Sequence, residues 1–178
     1  MKVLAFAASN SSQSINKKFL SYVLTHFQSH DTELLDLNDY DLPLYSIDKE
    51  KSIGIPELVS HFSKKLEEAD VIIISLAEHN GTYTAVFKNL FDWLSRYKLK
   101  MFEGKRMILL ATAPGPRGGR GVMDAALVRF PIHGAEILGH FCLPKFQENF
   151  DAEKGIINEE LKDEFNSLLN KISKTNEA

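Results

Sequence analysis

Apolar residues along the chain fall into five short runs, separated by stretches in which they recur every three or four positions. The runs are "KVLAFAA" (2–8), "TELLDL" (32–37), "DVIIISL" (70–76), "KRMILLATA" (105–113) and "AEILGHFCL" (135–143). Runs of this length bounded by turn-forming residues predict strands, and continuous rather than alternating ones predict parallel strands covered on both faces. Between them, the 3.6-residue period predicts helices. One carries Phe19, Leu20, Val23, Leu24 and Phe27, and another starts at Pro56 and carries Leu58, Val59, Phe62, Leu66 and Ala69. Three more are predicted over residues 83–96, 121–132 and 158–173. The stretch "NDYDLPLYSIDKEKSIG" (38–54) has no period and reads as a long polar loop.

Five strands alternating with five helices, without internal repeats, predict an α/β fold: a doubly wound parallel sheet with helices on both faces. A strand order of 2-1-3-4-5 is assumed, because periodicity does not fix it. That order places a binding crevice beside the carboxyl ends of strands one and three. The loops after strands one, three and four should then carry the chemistry.

Composition narrows the partners. At 178 residues and 44% hydrophobic, the chain suits one domain spanning residues 1–178. A formal charge of −3, with Lys and Arg dispersed, gives no footprint for nucleic acid or an anionic membrane, so a small ligand is expected. The single cysteine, Cys142, forms no internal disulfide, lacks metal-ligand spacing, and is expected in the core. The N-terminal apolar run turns polar at Ser9, too early for a signal peptide or membrane span, which points to the cytoplasm.

The three loops differ in character. "ASNSSQSIN" (8–16) offers Ser9, Ser11, Ser14 and Asn16 but no cation, and leads into a helix N-terminus. Hydroxyls, backbone N–H groups and the helix dipole can hold a phosphate; equally, Ser14 can simply cap the helix. "AEHNG" (77–81) sets Glu78, His79, Asn80 and Gly81 between a buried strand and a helix. A rigid turn there can support the edge of a flat redox ring, while an exposed acid and a solvated histidine are the plainer reading. "TAPGPRGGRG" (112–121) is glycine-rich, consistent with close approach of backbone to ligand or with ordinary loop punctuation. Its Arg117 and Arg120 suit nucleotide phosphates or a solvated rim. No Gly-Lys-Ser phosphate loop, Gly-x-Gly-x-x-Gly turn or Gly-x-Ser-x-Gly elbow occurs, and strand one does not end in the carboxylates of a receiver domain.

Together these loops resemble the NADPH-dependent FMN reductase family, which includes flavodoxin-like azo, quinone and chromate reductases. "ASNSSQSIN" matches its first-loop pattern at Ser9, Ser14 and Asn16. "EHNGTYTAVFKNLFDWL" matches its second at Glu78, Asn80, Gly81, Lys88, Asn89, Asp92, Trp93 and Leu94, and "DLPLYSID" and "PGPRGG" are similar to further family segments. The likeness covers roughly residues 2–143. It implies a flavodoxin-like three-layer sandwich that binds FMN and takes a hydride from NADPH or NADH. In the implied ping-pong cycle the hydride reaches flavin N5 and passes to a small acceptor, with no catalytic side chain and no metal. Implied FMN contacts are Ser9, Ser11, Ser14, Ile15, Asn16, Ala77, Glu78, His79, Asn80, Gly81, Thr112, Pro114, Gly115 and Gly118, with Arg117 and Arg120 meeting NADPH phosphates. The resemblance also implies a homodimer or homotetramer, with the helix carrying Lys88 to Trp93 at the interface.

Ala8, Ser11, Ala77 and His79 stand where the family pattern has Gly, Arg, Pro and Tyr. Losing the Arg removes a charge-assisted phosphate contact, and losing the Tyr removes an aromatic surface beside the ring, so weakened FMN affinity is expected. Two other readings stay open: a flavodoxin-type electron carrier, which the mild net charge disfavours, and a flavin-free binding domain.

Overall fold

The computed structural model describes residues 1–176, with side chains through residue 171. In chain order the elements are β1 (Lys2–Ala7), α1 (Ile15–Leu24), β2 (Asp31–Leu35), α2 (Ile47–Ile53), α3 (Glu57–Glu68) and β3 (Val71–Leu76). A small hairpin follows, β4 (Glu78–His79) and β5 (Thr82–Tyr83), then α4 (Ala85–Tyr97), β6 (Lys105–Thr112), α5 (Arg120–Ile132) and β7 (Ala135–Leu143). The chain continues through α6 (Phe146–Asn149), a second hairpin of β8 (Phe150–Asp151) and β9 (Gly155–Ile156), and α7 (Glu159–Asn176).

The main sheet has the order β2-β1-β3-β6-β7 with every pair parallel, which is the 2-1-3-4-5 order assumed from the sequence. Its continuous apolar strands serve two cores. Along β3, Ile72 and Ile74 face the side packed by Phe62, Leu66, Trp93 and Phe130 from α3, α4 and α5. Val71 and Ile73 face the opposite side, under Phe19 and Leu20 of α1 and Phe165 of α7. All six β3 residues are buried, as a central strand between two helical layers requires.

The polar loop predicted over residues 38–54 contains a helix. In α2 no side chain is buried, so no apolar period marks it; Ser46 starts it by accepting a hydrogen bond from the Lys49 N–H at 3.0 Å. The second strand stops at Leu35 rather than residue 37, because the Asp36 carboxylate accepts from the Asn38 N–H and turns the chain into a 3-10 turn, Leu37–Asp39. Phe27 lies beyond α1 in another such turn, Thr25–Phe27. Tyr83, expected to open the helix predicted over residues 83–96, is spent in the hairpin, and Thr84 caps α4 instead. Cys142 is half-buried on the edge strand β7 rather than in the core. No described helix is long and apolar enough to cross a membrane, and no described cluster of His, Cys, Asp and Glu could hold a metal ion.

Candidate active site

Parallel strands deliver the loops after β1, β3 and β6 to one end of the sheet. There they enclose a cleft of about 230 Å3 lined by Ser9, Ser11, Gln13, Ser14, Ile15, Asn16, Ala77, Glu78, His79, Thr112, Ala113 and Pro114. Ten of the residues expected around a cofactor are among these, and Gln13 and Ala113 join them.

Asn16 locks the three loops into register. It is 3% exposed, and its Oδ1 accepts from the Ser75 hydroxyl at 2.9 Å and the Thr112 N–H at 3.0 Å. Its Nδ2 donates to the Thr112 carbonyl at 3.0 Å. The Asn16 and Thr112 side chains are thus committed to scaffold, since the Thr112 hydroxyl donates to the Leu143 carbonyl at 2.8 Å. Thr84 makes a comparable link that the sequence reading did not single out: its hydroxyl donates to the Ala8 carbonyl at 2.9 Å while accepting from the Phe87 N–H. A threonine one residue into the predicted helix was the available signal, because Thr favours the cap over the helix interior.

At the floor of the cleft lies the N-terminus of α1. Ser14 is its cap, accepting from the Lys17 N–H at 3.2 Å, and the Ser14 carbonyl takes the Lys18 N–H. The N–H groups of Ile15 and Asn16 are left without an acceptor among the described residues. The Ser9 and Ser11 hydroxyls accept from the N–H groups of Ser11 and Gln13, so each keeps its own proton to donate. Four donors therefore converge with the positive end of a ten-residue helix. The nearby Lys17 ammonium is paired with Asp36, whose carboxyl it holds below the usual range, and no Lys or Arg lines the cleft.

Glu78 and His79, the first strand of the β4–β5 hairpin, line one wall, whereas Asn80 and Gly81, also expected around a cofactor, form its turn outside the lining. Asn80 (φ 52°) and Gly81 (φ 80°) both occupy left-handed backbone, the requirement of a two-residue turn matched to strand twist. Glu78 lines the cleft, and its Oε2 accepts the Val122 N–H of α5 at 3.0 Å.

The glycine-rich loop divides. Pro114 reaches the cleft, whereas Gly118 is packed under the end of β7: a Cβ there would lie 2.8 Å from both Leu143 C and Pro144 N. Gly115 uses its carbonyl to receive the N–H groups of Gly118 and Lys145. Arg117 and Arg120 line a separate hollow of about 300 Å3 with Pro116, His140, Cys142 and Glu164, and Arg120 is paired with Asp124 at 2.8 Å. Burial pushes the Cys142 thiol there up to about 11.

The Lys-Asn-x-x-Asp-Trp segment is scaffold in this chain. Lys88 and Asp92 pair across one turn of α4 at 2.7 Å. Asn89 fastens the loop before α2, accepting from the Tyr45 N–H at 2.8 Å and donating to the Leu42 and Pro43 carbonyls. Trp93, fully buried, donates from Nε1 to the Pro43 carbonyl at 2.8 Å.

The chain is similar to known proteins. The profile of the NADPH-dependent FMN reductase family matches residues 1–172. An NADPH:quinone oxidoreductase of Arabidopsis thaliana is 30% identical over 148 residues, covering 77% of this chain and 70% of its own. The NADH:(hydroxy)cinnamate reductase subunit CrdA of Vibrio ruber is 28% identical over 170 residues, covering 89% and 79%. Among solved structures, the flavoenzyme NAD(P)H:(acceptor) oxidoreductase FerB of Paracoccus denitrificans superposes with a TM-score of 0.72 over 97% of each chain at 24% identity. The chain belongs to the NADPH-dependent FMN reductase family and is a flavodoxin-like, NAD(P)H-dependent oxidoreductase that works through FMN.

Proposed function

We propose that FMN sits with its phosphate on the α1 N-terminus and its ring edge against the β4–β5 turn, and that the enzyme passes reducing equivalents from NADPH to a small quinone. The observation that carries this placement is the set of unmatched donors at Ser9, Ser11, Ile15 and Asn16, which meet at the floor of a cleft between three loops. These donors fit a phosphate dianion: hydroxyls and helix N–H groups supply hydrogen bonds and partial positive charge where the cleft has no cation.

Bound FMN supplies two-electron chemistry, accepting a hydride from the nicotinamide and delivering it to the acceptor. The protein's residues orient it. Ala77 and Pro114 flank the opening with apolar surface, and the peptide groups of His79, Asn80 and Gly81 offer dipoles to the ring edge. At about 230 Å3 the cleft is smaller than the roughly 300–1,000 Å3 typical of sites that engulf a ligand. Part of the cofactor is thus left open, and donor and acceptor use that open face in turn. Arg117 and Arg120, one hollow away, meet the phosphates of the nicotinamide nucleotide. The curated quinone reductases among the relatives support a quinone as acceptor. We place the enzyme in the cytoplasm as one domain over residues 1–178, working as a homodimer or homotetramer with α4 in the interface.

Steady-state oxidation of NADPH with a benzoquinone tests this reading. Turnover should require added or retained FMN and should exceed that with an azo dye or chromate. Turnover of chromate or azo dye alone would contradict the quinone assignment.

A further inference from the structure

Glu78 lies in the segment that most resembles the family, and its side chain is directed at another helix. Its Oε2 accepts the Val122 N–H at 3.0 Å, and Val122 is the third residue of α5. The cap position of α5 is Gly119, which has no side chain to satisfy the first-turn N–H groups. A carboxylate from outside the helix therefore does the work of a cap, at the end where helix dipoles favour negative charge. Gly121 makes this possible: a Cβ there would lie 2.8 Å from the Gly81 carbonyl oxygen and 3.0 Å from Glu78 Oε2. The hairpin is seated directly on the first turn of α5.

A hairpin of two residue pairs cannot hold its own shape in water. Its two anchors sit on the cross-strand pair at its base: Glu78 on Val122, and the Tyr83 ring stacked on Phe130 of α5 with centroids 6.1 Å apart and planes 6° from parallel. Between the anchors stand Asn80 and Gly81, both at positive φ. Their peptide dipoles point where they do only while the hairpin stays seated.

From this we infer that Glu78 is a positioning residue: by capping α5 it fixes the 79–82 turn that faces the flavin edge, and it does not itself contact the flavin. The inference rests on the cofactor placement proposed above. It reassigns the acid of this loop from ligand to strut, and it makes the Gly-Gly-Arg-Gly segment part of the flavin support without touching FMN.

The test uses Glu78→Ala, Glu78→Gln and Gly121→Ala, with two readouts. Amide exchange of residues 79–83 in the flavin-free protein reports the hairpin alone; FMN titration reports the cofactor site. Glu78→Ala should speed that exchange and weaken FMN binding by about fivefold each, the effect of losing one cap. Glu78→Gln, which keeps an acceptor for Val122, should restore both. Gly121→Ala, which keeps the carboxylate but occupies the space under Gly81, should loosen the same amides. Unchanged exchange in Glu78→Ala overturns the inference, as does loosening with no change in FMN affinity. A protected hairpin with lost affinity in Glu78→Gln also overturns it, because the charge itself would then be sensed by the flavin. If the unaltered protein takes up no FMN, the cofactor placement fails separately, and the exchange arm still decides whether Glu78 holds the hairpin.

Discussion

Ser11 illustrates how one side chain sets affinity here. It stands where the family pattern has an arginine, and its hydroxyl is one of the few donors in a cleft lined by no cation. A charge-assisted hydrogen bond is worth about 1.5–3 kcal/mol. Ser11→Arg is accordingly expected to tighten FMN binding by at least about tenfold, measured by quenching of flavin fluorescence. It should also make binding salt-sensitive, because exposed charges are screened. Equal affinity in the variant would place the phosphate elsewhere.

At Cys142, burial raises the thiol from 9.0 to about 11. A raised thiol pKa keeps the group protonated until higher pH, and only the thiolate reacts. Alkylation near pH 8 should be about 100-fold slower than for a thiol at its ordinary value, and should accelerate as the solution is taken toward the raised pKa. Side-chain roles were the least legible feature of the sequence. Asn16 and Glu78 are the right residue types for ligands, yet Asn16 bonds to Ser75 and Thr112, 59 and 96 positions away, and Glu78 to Val122, 44 away. Partners that distant are set by topology, which local pattern does not encode.

Among the elements, those with an apolar run or an apolar period were readable, and α2 and the short hairpins were not. β1, β3 and β6 read as strands because their apolar runs serve two cores at once. α2 did not read as a helix, since no side chain of it is buried, and the β4–β5 hairpin is too short to show a period. What holds the segment before α2 is Asn89, through three hydrogen bonds, together with Trp93 and the edge-on contact of Tyr45 with the indole at 5.1 Å. Asn89→Ala should cost roughly 2 kcal/mol, about 1 kcal/mol for each well-made bond less compensation by water. Thermal unfolding should shift down by roughly 4–8 °C for a domain of this size. An unaltered midpoint would show that Trp93 and Tyr45 hold the loop without Asn89.

For the whole molecule, the alternation of strands and helices established the class, and the loops after strands one, three and four were correctly expected to meet. Strand order had to be assumed, because a parallel sheet's order depends on how crossovers pack, and the observed β2-β1-β3-β6-β7 order matches it. The division of labour follows from that topology: the sheet brings three turns together, Asn16, Thr84 and Glu78 fasten them, and backbone donors are left facing the cleft. The most direct measurement is anaerobic mixing of the FMN-loaded protein with one equivalent of NADPH while the visible flavin absorbance is followed. Saturable FMN uptake is expected, with bleaching on NADPH addition and recovery of the absorbance when a quinone is added. Absence of FMN uptake, or a loaded protein that keeps its absorbance in excess NADPH, would contradict the proposed function.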